Sequence, residues 1–264
     1  AIATRHDSHA PIALAALRAG KRVYVEKPLC LTPKEYLDIE SLILQGGGEN
    51  LMVGFNRRFA PHVVRLKAIF KTGPLAINYR INAGHLPSDH WIHDPEIGGG
   101  RILGEACHFV DLCAFIAGSR IKSVAAFSLQ TKPQNLDTFA AALSFENGSI
   151  ANISYFSNGH KSLPKEMIEI FGAGVSARID DFKTLTLFGR KRTVDTLKKQ
   201  DKGHAAEMEA LADALKDGKP LPISAEDSLH ATAVSFALLE SIAEGGRPKS
   251  INELVHSWHR ETRD

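Results

Sequence analysis

The sequence of 264 residues contains only three cysteines, has almost no net charge and lacks any long apolar run. Cys30, Cys107 and Cys113 have no paired spacing typical of a disulfide scaffold or a structural zinc site, which favours a reducing compartment, and we predict the cytoplasm. The formal net charge of +2 gives no electrostatic reason to expect binding to nucleic acid or to an anionic membrane. No segment approaches the roughly 18 apolar residues that a membrane span needs. The composition is that of a globular protein with room for two cores.

The sequence also lacks a glycine-rich nucleotide loop ahead of its first strands. Strands and helices alternate at the start, which predicts a parallel, doubly wound sheet. The predicted elements are a strand end at 1–4, a helix from Ser8 to Ala19, a strand at 22–26, a helix opened by Thr32-Pro33 and a strand at 51–54. Only roughly three of about six strands fit here, and the glycine turn belongs after the first strand. We therefore expect the first half of this nucleotide-binding fold to be absent.

Beyond Gly54 the pattern changes to many strands followed by helices. A helix at 61–70 precedes a series of β-type runs, which predicts a mostly antiparallel sheet, and two late helices are predicted at 204–216 and 224–244. We expect a partial dinucleotide-binding domain at 1–54 and an α+β domain at 55–264, with helices on one face and an open face free to pair. The predicted strands are 76–83, 121–130, 138–145, 149–157, 166–171, 176–180 and 184–188.

A charged corner, Glu26-Lys27-Pro28, follows the short apolar strand Val23-Tyr24-Val25. Proline cannot donate to a sheet ladder and disfavours helical geometry at Lys27, so the strand must end here. Open parallel sheets bind ligands at the carboxyl ends of their strands, so an acid and an amine at this point indicate a binding site. An ordinary surface ion pair at a strand-to-loop junction is the alternative that these residues leave open.

The densest group of chemically active side chains lies between His85 and Asp111. A run of three glycines, 98–100, precedes a predicted helix on which Glu105, His108 and Asp111 are spaced by three, so that neighbours can share one sector. Carboxylates beside an imidazole would raise its basicity and fix its tautomer, which suits proton transfer near neutral pH. A buried histidine with satisfied hydrogen bonds is the alternative.

Other kinds of site are weaker interpretations of the same segment. His85, His90 and His93 are metal-ligand types but form no tight pair, so we predict no metal site. The glycine run lacks the lysine-serine or lysine-threonine ending of a nucleotide triphosphatase loop. Cys107 adjoins His108, but adjacent helical residues point about 100° apart, which favours a buried cysteine over a nucleophile.

Taken together, these motifs resemble those of the glucose-fructose oxidoreductase, inositol dehydrogenase and rhizopine catabolism (Gfo/Idh/MocA) family of NAD(P)-dependent oxidoreductases. The resemblance covers nearly the whole chain and rests on the order and spacing of several modest motifs. They are Ala3-Thr4 with His9, Ala19-Gly20-Lys21 leading to Val25-Glu26-Lys27-Pro28-Leu29, the run from Val53 to Phe59, the triple glycine, His108 with Asp111, and the run from Pro222 to Asp227.

The resemblance implies an α/β plus α+β fold: the C-terminal half of a Rossmann-type parallel sheet, then a mostly antiparallel open-sheet domain with helices on one face. It implies NAD or NADP as the cofactor, a sugar or polyol-like substrate, and a homo-oligomer formed through the open sheet face. Because the glycine turn is missing, we expect this sequence to bind the cofactor poorly and to be inactive. The run from Gly84 to Glu96 most resembles members in which this module follows a second oxidoreductase-type domain.

The resemblance also implies roles for individual side chains. Lys27 would lie beside the nicotinamide and the substrate carbon, and His108 would exchange the hydroxyl proton. Family members often have an aspartate four residues before the histidine, where this chain has Gly104, so Glu105 is the candidate replacement. The Lys27–Pro28 peptide bond is a candidate for the cis form. The residues that would line the cofactor groove are Thr4, His9, Glu26, Lys27, Pro28, Asn56, Arg58 and Trp91.

The implied activity is hydride transfer between a CH–OH group of a sugar or cyclitol and NAD(P). Two alternatives stay open. One is a non-catalytic binding or assembly module that uses the open sheet, and the other is a lyase or hydrolase that retains its nicotinamide.

Overall fold

The first part of the molecule is a small parallel sheet with its connecting helices. The computed structural model describes residues 1–47, 50–71, 73–129 and 137–262. Strands β1 (Val23–Val25) and β2 (Leu51–Val53) pair in parallel, and Ile2 bridges the other edge of β1, also in parallel. Helices α1 (His9–Arg18) and α2 (Pro33–Leu42) provide the connections. This confirms the expected βαβ arrangement, in which the apolar strand residues are buried.

The two helices begin differently. Helix α2 has a reciprocal cap: Thr32 Oγ1 accepts from the Glu35 N–H at 3.2 Å, and Glu35 Oε2 accepts from the Thr32 N–H at 3.1 Å. Ser8, expected to cap α1, instead ends a 3₁₀ turn that runs from His6. The Ser8 hydroxyl lies 2.6 Å from Thr4 Oγ1, so it holds the loop rather than the helix.

The second part is one large sheet. Its strands are β3 (Ala76–Asn82), β4 (Ile121–Ser128), β5 (Phe139–Phe145), β6 (Ile150–Phe156), β7 (Glu166–Gly172), β8 (Val175–Asp180), β9 (Thr184–Phe188), β10 (Thr193–Thr196) and β11 (Lys249–Ser250). Among the described residues, these nine strands are ordered β10-β9-β8-β7-β3-β6-β5-β4-β11. Every neighbouring pair is antiparallel except β3 with β6. The mostly antiparallel open sheet is therefore confirmed.

The sheet edges differ from the sequence prediction. Strands β10 and β11 are not among the predicted strands, because they are short and lie at the two edges, where little apolar patterning is needed. Strand β10 is largely exposed and β11 is half-buried. Gln130, the predicted end of the β4 segment, lies outside the described residues. The other predicted strands agree with the observed ones to within one or two residues at each end.

One face of the large sheet is covered by helices and the other is open. The remaining helices are α3 (Pro61–Ile69), α4 (Cys107–Ala117), α5 (His204–Lys216), α6 (Ala225–Ala243) and α7 (Ile251–Glu261). Strand β5 shows the two faces, since Phe139, Ala141 and Leu143 are buried while Ala140 and Ala142 are exposed. None of the helices in the described ranges is long and apolar enough to cross a membrane.

Helix α6 fixes the small sheet against the large one. Its Ser228 hydroxyl accepts from the backbone N–H of Val53 at 3.2 Å, and its Ser241 hydroxyl accepts from the N–H of Ala126 at 2.9 Å. Strands from both sheets are thus hydrogen-bonded to one helix. The carboxyl end of β2 is therefore held in a defined position relative to the large sheet.

Candidate active site

The loops that follow the parallel strands meet at one edge of the small sheet. His9 joins two of them, because its Nδ1 lies 2.7 Å from the Pro28 carbonyl oxygen and its Nε2 lies 3.2 Å from the Thr4 carbonyl oxygen. The Lys27–Pro28 peptide bond is cis, as anticipated. Of the residues predicted to bind the cofactor, Thr4, His9, Glu26, Lys27 and Pro28 are brought together here.

A hydrogen bond from Tyr24 supports Glu26 from behind. The Tyr24 hydroxyl donates to Glu26 Oε1 at 2.8 Å. Glu207 reaches Tyr24 from α5 and is 1% exposed. Burial raises the pKa of Glu207 to about 8, and the charges of Glu26 and Asp111 contribute. The hydrogen bond with Tyr24 acts in the opposite direction and partly offsets this rise, so Tyr24 interacts with both acidic side chains.

Facing these strand ends, the chain enters α4 through a wider turn than the sequence predicts. Residues Ile102–Ala106 form a π-helical segment rather than a first α-helical turn. The carbonyl of Gly104 in this segment accepts a hydrogen bond from Lys27 Nζ at 2.9 Å. A Cβ at Gly104 would lie 2.9 Å from Cε1 of His6, so glycine permits this close approach. Single π turns of this kind often occur at functional sites.

Glu105 and Asp111 do not flank the imidazole of His108, so that sequence prediction is wrong. The π turn redirects Glu105 towards β6, where it accepts from the Tyr155 hydroxyl at 2.8 Å. Asp111 instead accepts from Arg58, at 2.8 Å from Nε and 2.6 Å from Nη2. Both carboxylates therefore have partners that sequence spacing did not indicate.

His108 is surrounded by positive charge. Burial lowers its pKa well below the ordinary 6.5, and nearby cationic groups lower it further, so the expected rise in basicity is also wrong. These groups are Arg57, Lys27, His204 and Lys165. The Nδ1 atom of His108 has no hydrogen-bond partner among the described residues. Because Nδ1 is buried, the other ring nitrogen, Nε2, is the one through which the neutral imidazole would accept a proton from a bound hydroxyl group.

Glu105 remains close to the lysines although it does not contact His108. Burial opposes its ionisation, but the charges of Arg101, Lys165 and Lys27 lower its pKa below the usual value. Arg101 Nε lies 3.4 Å from Glu105 Oε1. The ionised carboxylate offsets part of the positive charge of the site.

A buried ion network lies beneath the site. Glu166, the first residue of β7, accepts from Arg57 Nε at 2.8 Å, from Arg57 Nη2 at 2.9 Å and from Lys202 Nζ at 2.7 Å, and the Tyr79 hydroxyl also donates to it. Burial opposes ionisation, but Arg57 and Lys202 lower the pKa of Glu166 to about 2. The network anchors the 3₁₀ turn that carries Arg57 to the large sheet.

Asn56 and Arg58, both predicted for the cofactor groove, have side chains engaged elsewhere. Asn56 Nδ2 donates to the Lys202 carbonyl oxygen at 2.7 Å. Arg58 donates to Asp227 through Nη1 at 2.8 Å, in addition to its ion pair with Asp111. These contacts brace the turn against α4 and α6. The structure therefore does not bring the two side chains to the group at the strand ends.

Trp91 lies at the margin of the site beside a histidine that the sequence motifs did not single out. The rings of Trp91 and His6 meet edge to face with centroids 4.7 Å apart. His6 Nδ1 lies 2.8 Å from the Gly98 carbonyl oxygen. Burial lowers the pKa of His6 to about 4, against the effect of that hydrogen bond. His6 could have been found from sequence, because it lies in the loop after the first strand. Lys165 and His204 could not, because they come from distant segments and spacing along the chain does not show that they approach this site.

The arrangement fits a nicotinamide dinucleotide better than a metal. The strand-end loops converge where open parallel sheets bind nucleotides, and the neutral imidazole of His108 lies close to Lys27. In the described ranges, no three His, Cys, Asp or Glu side chains gather in a way that could hold a metal ion. Cys107 is a buried thiol whose pKa burial raises to about 12, which supports the structural interpretation of this residue.

Family models match both parts of the chain. Residues 73–250 match the "Oxidoreductase family, C-terminal alpha/beta domain", and residues 1–55 match the "Oxidoreductase family, NAD-binding Rossmann fold". Fold and family match together define an NAD(P)-dependent oxidoreductase. The chain belongs to the Gfo/Idh/MocA family.

Individual relatives agree with this assignment. Inositol 2-dehydrogenase 2 of Saccharopolyspora erythraea is 27% identical over 253 residues, which cover 92% of this chain and 74% of that protein. Myo-inositol 2-dehydrogenase of Thermotoga maritima is 23% identical over 257 residues, which cover 90% of this chain and 75% of that protein. Among solved structures, an oxidoreductase domain protein from Kribbella flavida aligns with a TM-score of 0.80 at 25% identity over 94% of this chain and 78% of that chain. Levoglucosan dehydrogenase in complex with NADH aligns with a TM-score of 0.80 at 21% identity over 95% of this chain and 78% of that chain.

Proposed function

We propose that the protein oxidises a secondary alcohol of a sugar or cyclitol, with NAD or NADP as the hydride acceptor. The observation that carries the proposal is the meeting of Lys27 and a neutral His108 at the carboxyl ends of the parallel strands. The inositol dehydrogenases among the relatives support this class of substrate.

Each group has a separate part in the proposed reaction. Lys27 donates a hydrogen bond to the substrate hydroxyl and stabilises the developing alkoxide. His108 accepts the hydroxyl proton, which leaves a ketone as the product. When bound, the nicotinamide supplies the acceptor for the hydride that leaves the same carbon. Glu105 balances the charge of Lys27. The residues that we propose to hold the cofactor are Thr4, His9, Glu26, Lys27, Pro28 and Trp91.

We expect the intact protein to reduce NAD or NADP when a sugar or cyclitol is added. Incubation with myo-inositol and a panel of aldoses, followed by the absorbance of the reduced nicotinamide and by chromatography of the products, tests this directly. Product formation without net cofactor reduction would favour a lyase or hydrolase that retains its nicotinamide. Absence of both turnover and NADH binding would contradict the proposal and favour a non-catalytic module.

We also propose that the open sheet face pairs two copies of the chain. This face carries small side chains, including Ala140 and Ala142 on β5, beside exposed apolar ones such as Phe127 on β4 and Ile150 on β6. Its polar groups are partly satisfied within the sheet, since Asn152 Nδ2 donates to Asn78 Oδ1 at 3.3 Å. A sheet face with exposed apolar side chains can bury them by packing against a second sheet.

Ala142→Arg is expected to shift the protein towards the monomer, because it places a long charged side chain on the exposed side of β5 within that face. Ala205→Arg, on the exposed surface of α5, is the matched control and should leave the mass unchanged. Light scattering coupled to size exclusion measures both. A wild-type monomer, or a dimer that Ala142→Arg leaves intact, would contradict this arrangement.

A further inference from the structure

Lys165 is a charged residue at the site to which the proposed reaction gives no role. It precedes β7 and lies close enough to His108 and Glu105 to affect the pKa values of both. Its ammonium group forms no hydrogen bond or close ion pair with a described residue. Burial lowers the pKa of Lys165, although the carboxylates of Glu105 and Glu166 partly oppose this. A half-buried ammonium without a direct partner is costly unless something binds to it.

The loop that carries Lys165 is held firmly by the end of β3. Asn82 Nδ2 donates to the carbonyl oxygens of His160 at 2.8 Å and Leu163 at 2.9 Å, and the Asn82 N–H donates to the Lys165 carbonyl oxygen at 2.7 Å. Arg80 Nη1 donates to the Pro164 carbonyl oxygen at 2.7 Å. Asn82 is only 6% exposed. The backbone at Lys165 is therefore set by several hydrogen bonds, which fix the point from which its side chain extends.

The local charge favours a negatively charged ligand. The strongest charges that act on His108 are all positive, and Lys165 adds to Lys27 there. Glu105 and Glu166 are the nearby carboxylates, and both have other cationic partners: Arg101 for Glu105, and Arg57 with Lys202 for Glu166. A neutral polyol can hydrogen-bond to a second ammonium but cannot offset its charge, whereas a carboxylate or phosphate can do both.

We propose that Lys165 binds a carboxylate or phosphate group of the substrate, so that the enzyme prefers an acidic sugar or polyol to a neutral one. The inference rests on the proposed function, since the same site is used. Lys27 and His108 act on the carbinol that is oxidised, and Lys165 selects the substrate through its anionic group. A charged hydrogen bond of this kind is consistent with roughly tenfold or greater discrimination.

Matched probes test the preference and separate the two anionic groups. D-glucose, D-glucuronate and D-glucose 6-phosphate differ in charge on a common ring, and myo-inositol and its 1-phosphate form a second pair. We expect at least one anionic probe to exceed its neutral counterpart by about tenfold in kcat/KM, and in affinity by calorimetry in the presence of NADH. Preference for glucuronate or for the phosphates identifies the group that is recognised.

Substitutions then assign the preference to one residue. Lys165→Met should remove it, so that the ratio of kcat/KM between an anionic probe and its neutral counterpart and the ratio of their affinities both fall by about tenfold, and Lys165→Arg should keep part of it. Lys161→Met, an exposed lysine of the same loop, is the control and should change neither. Equal binding of neutral and anionic probes, or a preference that survives Lys165→Met, would overturn the inference. Oxidation of neutral probes alone would overturn it and leave the proposed function intact. Anionic binding through Lys165 without cofactor reduction would refute the function and keep the binding site.

Discussion

Replacing His108 by asparagine is expected to lower kcat for alcohol oxidation by about a hundred- to ten-thousandfold, the usual contribution of a positioned general base. Asparagine keeps a polar group of similar size but cannot take up the hydroxyl proton. The measurement is the steady-state rate of cofactor reduction, with circular dichroism to verify the fold. His256→Asn, on the exposed side of α7, is the matched control and should retain the full rate.

The pH profile of the wild-type enzyme gives a second readout of the same residue. Protonated imidazole cannot act as a base, so activity falls only when the pH drops below the pKa of His108. Burial and the charges of Arg57, Lys27, His204 and Lys165 hold that pKa well below 6.5, so kcat/KM should not decline as the pH is lowered through 6.5. An acidic limb at 6.5 or above that is lost in His108→Asn would contradict the electrostatics described here. A rate within twofold of wild type for His108→Asn would remove His108 from the mechanism.

Glu166→Gln is expected to lower the free energy of unfolding by about 3–5 kcal/mol, because it leaves Arg57 and Lys202 buried without their shared carboxylate. Urea denaturation at neutral pH measures the change. Glu169→Gln is the matched control. Glu169 lies on the same strand with its side chain on the other face of the sheet, so this substitution should change the free energy of unfolding by less than about 0.5 kcal/mol.

The same network predicts a pH dependence of stability. Because the folded-state pKa of Glu166 is lowered to about 2, its stabilisation is fully present above the ordinary value of 4.5 and is lost as the pH falls between these two values. Wild type should therefore lose stability in this window more steeply than Glu166→Gln. Equal stability of the two proteins at neutral pH, or parallel acid profiles, would show that the buried charge makes no net contribution.

Local chemistry made the end of β1, where we propose that the cofactor binds, predictable from sequence. Pro28 had to end a strand, and the Thr32 cap with Pro33 had to begin a helix, so the position of Lys27 at a strand end followed. The large sheet followed from alternating apolar residues, because one of its faces is buried. Its short edge strands β10 and β11 could not be predicted in this way, because they have too few buried apolar residues to form an alternating pattern.

Long-range pairing made the rest unpredictable. The spacing of Glu105, His108 and Asp111 suggested one cluster, but Tyr155 and Arg58 draw the carboxylates apart. These partners lie 50 and 53 positions away along the chain, and no local pattern couples them. The π turn at Gly104 changes the direction in which the following side chains point. It was not predictable from local sequence either, because it depends on contacts with His6 and Lys27, which are distant along the chain.

The most direct test of the central claim is the fate of the hydrogen on the carbinol carbon. A substrate from the panel is deuterated at the oxidised carbon and incubated with the intact protein and oxidised cofactor, and the reduced nicotinamide is examined by mass spectrometry. Hydride transfer predicts one deuterium in the reduced cofactor for each ketone formed, with none released to water. Deuterium that remains in the product or exchanges with solvent, without labelled cofactor, would contradict the proposed oxidation.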